Sequence, residues 1–126
     1  MRILLDTHLL LWWLEDSPSL SRKAREAIGD PENTVFVSAV SLWEIWLKQS
    51  LGKLRLPGDF MERLAAESFE SLPLAGSQTR QVSLLPWHHR DPFDRMLIAQ
   101  AQVEKLVLLT ADEVLGAYGG FVRVAR

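Results

Sequence analysis

Four acidic residues stand where solvation alone does not account for them: Asp6, Glu44, Asp94 and Asp112. Ile3-Leu4-Leu5, a short apolar run suited to a strand buried on both faces, leads straight into Asp6. Glu44 sits early in the helix that follows a second such run, Val35-Phe36-Val37, and Asp112 follows Leu106-Val107-Leu108-Leu109-Thr110. Asp94 shares a helical face with Leu97, Ile98 and Ala101, at the end of a core-facing stripe. An ionised carboxylate closing a buried strand is costly unless a donor or a cation meets it. Acids gathered from separate segments also repel, and a divalent cation is the simplest remedy. The ligand set is all oxygen. The chain has no cysteine, which favours Mg²⁺, with Mn²⁺ as a substitute, over zinc. Such a centre activates water and stabilises charge on a leaving oxygen of a phosphate. No glycine-rich, lysine-bearing phosphate loop is present, and Gly119-Gly120 reads as a turn, so phosphodiester hydrolysis fits better than transfer from a nucleotide.

Each acid also has a structural reading. Ser41-Leu42-Trp43-Glu44 fits a capping box, with Ser41 as N-cap in the first helical turn, and this balances evenly against a functional role for Glu44. Thr110-Ala111-Asp112-Glu113 fits the same template, which gives Glu113 the capping role and leaves Asp112 free. Helix dipoles favour first-turn acids by about 0.3–1 kcal/mol in any case. Asp91 before Pro92 is a helix start and reads as a cap; Asp94, one turn in, reads as functional, although spacing alone does not separate the two. Thr7 or His8 would serve Asp6 as local partners, which still leaves the convergence unexplained.

The elements that position these acids alternate between extended and helical. Helices are expected over Leu9–Leu14, from Ser21 to Gly29, over Ser41–Leu51, around Phe60–Ala65, through Gln78–Leu85 and from Asp91 to about Lys105. Strands are expected at Ile3–Leu5, Val35–Val37, Leu106–Leu109 and Phe121–Val124, with a short extended piece at Leu72-Pro73-Leu74. Continuous apolar strands alternating with helices imply a parallel sheet covered on both faces. The 126 residues suit one domain, 1–126, with an ordinary globular composition of 48% hydrophobic and 24% charged residues. A net charge of −2 argues against a strongly cationic nucleic-acid binder while allowing a local basic patch. Neither a targeting segment nor a membrane span is read, so a cytoplasmic location is expected.

Four stretches together resemble the successive motifs of PIN-domain proteins, most closely the VapC toxins of type II toxin–antitoxin systems. They are Leu4-Leu5-Asp6-Thr7-His8, Ser41-Leu42-Trp43-Glu44-Ile45, Asp91-Pro92-Phe93-Asp94-Arg95-Met96-Leu97-Ile98-Ala99-Gln100-Ala101 and Leu109-Thr110-Ala111-Asp112. The likeness spans essentially the whole chain, in order. It implies a PIN-like three-layer α/β sandwich with a short parallel sheet. It also implies a Mg²⁺- or Mn²⁺-dependent endoribonuclease acting on RNA and neutralised by a cognate antitoxin protein. The family's four acids fall on Asp6, Glu44, Asp94 and Asp112, its hydroxyl residue on Thr110, and a homodimer or toxin–antitoxin hetero-oligomer is implied.

Arg80, Arg90, Arg95, Lys48, Lys53 and Arg55 are candidates for phosphate contacts. Trp87 is expected to pack beneath its loop, ahead of the alternative that it stacks on an unpaired base. Adjacent His88 and His89 are not read as a metal site, because neighbours in sequence rarely ligate one ion well. Trp12 and Trp13, and Trp43 and Trp46, lie on helices apolar over more than one face, so part of that surface is expected to meet a partner. Two rival readings are a non-catalytic interaction module of the same fold and a hydrolase forming an aspartyl-phosphate at Asp6.

Overall fold

The computed structural model describes residues 1–126. Five strands form one sheet: β1 (Arg2–Leu5), β2 (Thr34–Ser38), β3 (Glu70–Leu72), β4 (Val107–Thr110) and β5 (Val122–Val124). Six helices surround it: α1 (Thr7–Leu14), α2 (Arg22–Gly29), α3 (Ala39–Ser50), α4 (Phe60–Ala66), α5 (Gly76–Leu84) and α6 (Pro92–Glu104). A single 3-10 helix, Glu113–Tyr118, links β4 to β5. Sheet order is β3-β2-β1-β4-β5 with every pairing parallel, as the expected α/β architecture requires.

The period of two along β1 divides the core. Ile3 and Leu5 face one apolar layer, built with Leu9, Leu10, Ile28 and Ile45, and lie on the side of α1, α2 and α4. Leu4 points the other way, into a layer with Leu97, Ile98, Leu108, Leu115 and Val122. Each fully buried Leu or Ile contributes about 1.5–3 kcal/mol. No helix is long and apolar enough to cross a membrane.

A buried polar chain sets the distance between α3 and α6. Ser38 caps α3 by accepting the Val40 N–H and donates its hydroxyl hydrogen to Gln100 Oε1 of α6 at 2.5 Å. Gln100 Nε2 in turn donates to Gln78 Oε1 of α5 at 3.0 Å. Three buried polar side chains thereby fix the two helices that carry Glu44 and Asp94.

The structure moves several boundaries. Helix α3 starts at Ala39 directly from β2, so Ser38 is its cap, and Ser41 lies inside the helix accepting a hydroxyl hydrogen from Thr7 at 2.9 Å. Glu44 therefore sits in the second turn, and the capping box read at Ser41 does not form. The extended piece near Leu72 comes earlier than expected, at Glu70–Leu72, and pairs with β2.

Candidate active site

At the middle of the sheet, β1 and β4 pair, and the order reverses: β2 and β3 lie beyond β1, and β5 lies beyond β4. In open α/β sheets, ligands bind at the carboxyl ends of strands beside such a reversal. Asp6 emerges there, one residue past β1, its N–H donating to Leu109 O at 3.0 Å. Its buried carboxylate accepts the Thr110 hydroxyl hydrogen on Oδ2 at 2.5 Å, and the His8 N–H on Oδ1 at 3.4 Å. The same Thr110 oxygen accepts the Asp112 N–H at 3.1 Å. One hydroxyl at the end of β4 thus orients the first acid and ties down the backbone of the last.

Glu44 is buried and reaches the same region from α3. Lys48, one turn on, pairs with its Oε2 at 2.5 Å, while Oε1 is buried with no hydrogen-bond partner. That bond raises the Lys48 ammonium above the ordinary lysine value; burial opposes it, and the charges of Glu44, Asp91 and Asp94 reinforce it. Lys48 was a candidate for phosphate contact; here its partner is Glu44.

Asp94 lies in the first turn of α6, and its Oδ2 is 2.9 Å from His89 Nε2. Burial chiefly, then the charges of Asp6 and Asp91, push its carboxyl up to about 6; the His89 bond pulls the other way and Glu44 adds to the rise. Asp6 is raised as well, through burial, with the Thr110 bond and His8 opposing and Glu44 adding. Asp6, Glu44 and Asp94 lie within each other's electrostatic field. Asp112 joins them on the far side, since ligand atoms of His89, Asp94 and Asp112 lie within 4.8 Å of one another.

Asp94 and Asp112 therefore share one close group with His89, while Asp6 and Glu44 reach Asp94 through their charge and stand outside that group. Asp91 caps α6, accepting the Phe93 and Asp94 N–H groups on Oδ1 at 2.8 and 3.0 Å, as Asp-Pro implied. Asp112 departs from expectation. It is itself the cap of the 3-10 helix, accepting the Val114 N–H at 3.0 Å, and Glu113 does not take that role. Adjacency to His88 conceals the role of His89, whose partner is Asp94, five positions on.

Arg95 also departs from expectation. It is buried, not available to a phosphate, and donates to the carbonyls of Val82, Leu85, Pro86 and His89 and to the Tyr118 hydroxyl. Trp87 does not pack beneath its loop. It is 74% exposed, with its ring 3.7 Å from the Arg95 guanidinium carbon.

The residues suit a hard divalent cation. The donors are carboxylates joined by one imidazole, one buried oxygen lacks any donor, and burial, then neighbouring negative charge, raises the Asp94 carboxyl. A cleft of about 370 Å³ between α1 and α3 has Glu44 in its wall, with Thr7, His8, Trp12, Lys48 and Lys53.

The PIN domain family model matches residues 3–120. The chain belongs to the PIN domain family. Its PIN fold is shared by VapBC2 from Rickettsia felis, solved bound to a DNA fragment from their promoter (TM-score 0.76, 15% identity, 100% of both chains). A toxin–antitoxin complex from Klebsiella pneumoniae is also similar (TM-score 0.65, 20% identity, 97% of this chain and 96% of that one). In sequence, this PIN domain is 29% identical over 119 residues to Ribonuclease VapC22 of Mycobacterium tuberculosis (strain ATCC 25618 / H37Rv), covering 92% of this chain and 91% of that protein.

Proposed function

We propose that this PIN domain is a VapC-type toxin, an endoribonuclease that hydrolyses RNA phosphodiester bonds in the cytoplasm with Mg²⁺ or Mn²⁺ and is held in check by a cognate antitoxin. The observation that carries the reading is the buried Glu44 oxygen without a donor, on an acid that shares its field with Asp6 and Asp94. A purely structural carboxylate at that depth would have both oxygens met. The name of the M. tuberculosis relative and the toxin–antitoxin character of the solved neighbours support the substrate and the partner.

A bound divalent ion supplies charge neutralisation at the phosphate and activation of water. The chain's own residues prepare for this. Thr110 holds Asp6 in one orientation, and Lys48 occupies one Glu44 oxygen so that the other remains available. Burial and the charges of Asp6 and Asp91 make ionised Asp94 costly, a cost that a bound cation would relieve. Lys53, beside Lys48 in the cleft, is placed to attract a polyanion.

The apolar side of α3 supports the partner. Trp43 is 59% exposed, edge-on to Phe93, and Trp46, Leu47 and Leu51 continue the exposed surface. Its counterpart on α1 is better covered: Leu9, Leu10, Leu11 and Leu14 are buried and Trp12 and Trp13 half-buried. A non-catalytic interaction module draws on these exposed aromatics and on the capping by Asp6 and Asp112, yet leaves Glu44 unexplained. Purified wild type and Asp6→Asn, assayed on RNA with Mg²⁺ and with EDTA, separate the two. The nuclease reading predicts Mg²⁺-dependent cleavage that the variant loses. Undiminished cleavage by a folded variant would remove Asp6 from the mechanism.

A further inference from the structure

We propose that His89 is a nitrogen donor of the cation centre, giving this chain's site a preference for Mn²⁺ over Mg²⁺. The inference rests on the divalent-ion reading above. His89 Nε2 lies 2.9 Å from Asp94 Oδ2, and both lie within 4.8 Å of an Asp112 carboxylate oxygen. Neighbouring donors in an octahedron with bonds of about 2.1 Å stand roughly 3 Å apart, so this pair already has the spacing of two adjacent ligands. Ligation uses the neutral imidazole with its hydrogen on Nδ1.

The loop between α5 and α6 is built to hold that ring in place. The His89 N–H donates to the Tyr118 hydroxyl at 3.1 Å, and its carbonyl accepts from Arg95 at 3.4 Å. Arg95 and Tyr118 are both buried, and Arg95 also binds three further carbonyls of the same stretch. The His89 side chain is only 25% exposed. Such anchoring serves a side chain whose position matters.

Charge points the same way. Asp6, Glu44, Asp94 and Asp112 converge, and Lys48 answers one of them. An imidazole adds a donor without adding repulsion. Nitrogen donors suit Mn²⁺ better than Mg²⁺, whose partners are oxygen and water. The competing role for His89 is to hold Asp94 from outside the coordination sphere, as histidines and carboxylates do around many metal ions.

Electron spin-echo modulation of Mn²⁺ bound to the purified full chain decides between them, with His89→Gln, His8→Gln and His88→Gln alongside wild type. Direct ligation predicts a strong nitrogen coupling in wild type, His8→Gln and His88→Gln that vanishes in His89→Gln. In His89→Gln, calorimetry is expected to show Mn²⁺ affinity falling more than Mg²⁺ affinity, whereas loss of an outer partner alone weakens both alike. Bound Mn²⁺ with no directly coordinated nitrogen, or a coupling that survives His89→Gln, overturns the proposal while leaving the divalent-ion reading standing. Absence of Mn²⁺ binding in wild type overturns both.

Discussion

Replacing Asp94 with Asn is expected to stabilise the cation-free protein while abolishing its response to the cation. The Asp94 carboxyl is raised from 3.8 to about 6, so the folded state keeps a proton that the unfolded chain has released between those values. Wild-type stability therefore falls as pH climbs through that window, and the penalty is complete above about 6, reaching about 3 kcal/mol. Asparagine keeps the size of the side chain but removes the charge. Weakening of the His89 bond takes back part of the gain, leaving about 1–2 kcal/mol at pH 7.5. For a chain of 126 residues that is a rise of about 4–8 °C in Tm in EDTA. At pH 4 the wild-type penalty shrinks below about 1 kcal/mol, and the advantage of the variant shrinks with it. Mg²⁺ at about 100 times its Kd stabilises wild type by about 2.7 kcal/mol, and the variant is expected to gain much less. Thermal melts by circular dichroism at the two pH values, with EDTA and with Mg²⁺, read all of this. A variant melting below wild type in EDTA at pH 7.5, or gaining as much from Mg²⁺, would refute the reasoning.

Thr110→Val removes the hydroxyl that serves both Asp6 and Asp112, and urea unfolding is expected to show a loss of about 1–3 kcal/mol. Thr110→Ser, which keeps the hydroxyl, should recover the cation affinity that Val loses, as measured by calorimetry. Arg95→Met leaves several loop carbonyls without their donor and uncovers the inner face of Trp87, so a loss of about 3 kcal/mol or more in chemical denaturation is expected. Gly52 closes α3 at φ +72°, and Gly52→Ala is expected to cost about 1 kcal/mol in the same assay without altering cleavage. Trp46→Lys, on the exposed side of α3, is expected to weaken capture by the antitoxin in a pull-down while Mg²⁺-dependent cleavage persists.

Much of the frame was legible because its signals are local. Ile3-Leu4-Leu5 and Leu106-Val107-Leu108-Leu109 are short and apolar at every position, as strands covered on both faces are, and Asp6 stands at the end of the first. Asp-Pro marked the start of α6 and assigned Asp91 its capping role. Glu44 was misplaced by a turn because β2 passes into α3 with no loop, so Ser38 caps the helix while ending the strand. Asp112 takes the capping role read for Glu113 because the 3-10 helix begins at Glu113, which puts its cap two residues past Thr110. Arg95 reads locally as a surface cation on a first turn. Its burial depends on how the loop after α5 folds over it, a long-range result that no spacing encodes. His89 escapes the spacing argument applied to the adjacent pair, because its partner is Asp94, five positions on, and not His88.

The claim on which the rest depends is that side chains from β1, α3, α6 and the turn after β4 jointly hold one divalent centre. A crystal of the full chain soaked in Mn²⁺, with anomalous scattering recorded at the manganese edge, addresses it directly. The account predicts an anomalous peak within bonding distance of Asp6 and Asp94 and bordered by Glu44 and Asp112. A saturated soak with no peak among those carboxylates, or with density only at surface acids, would contradict it.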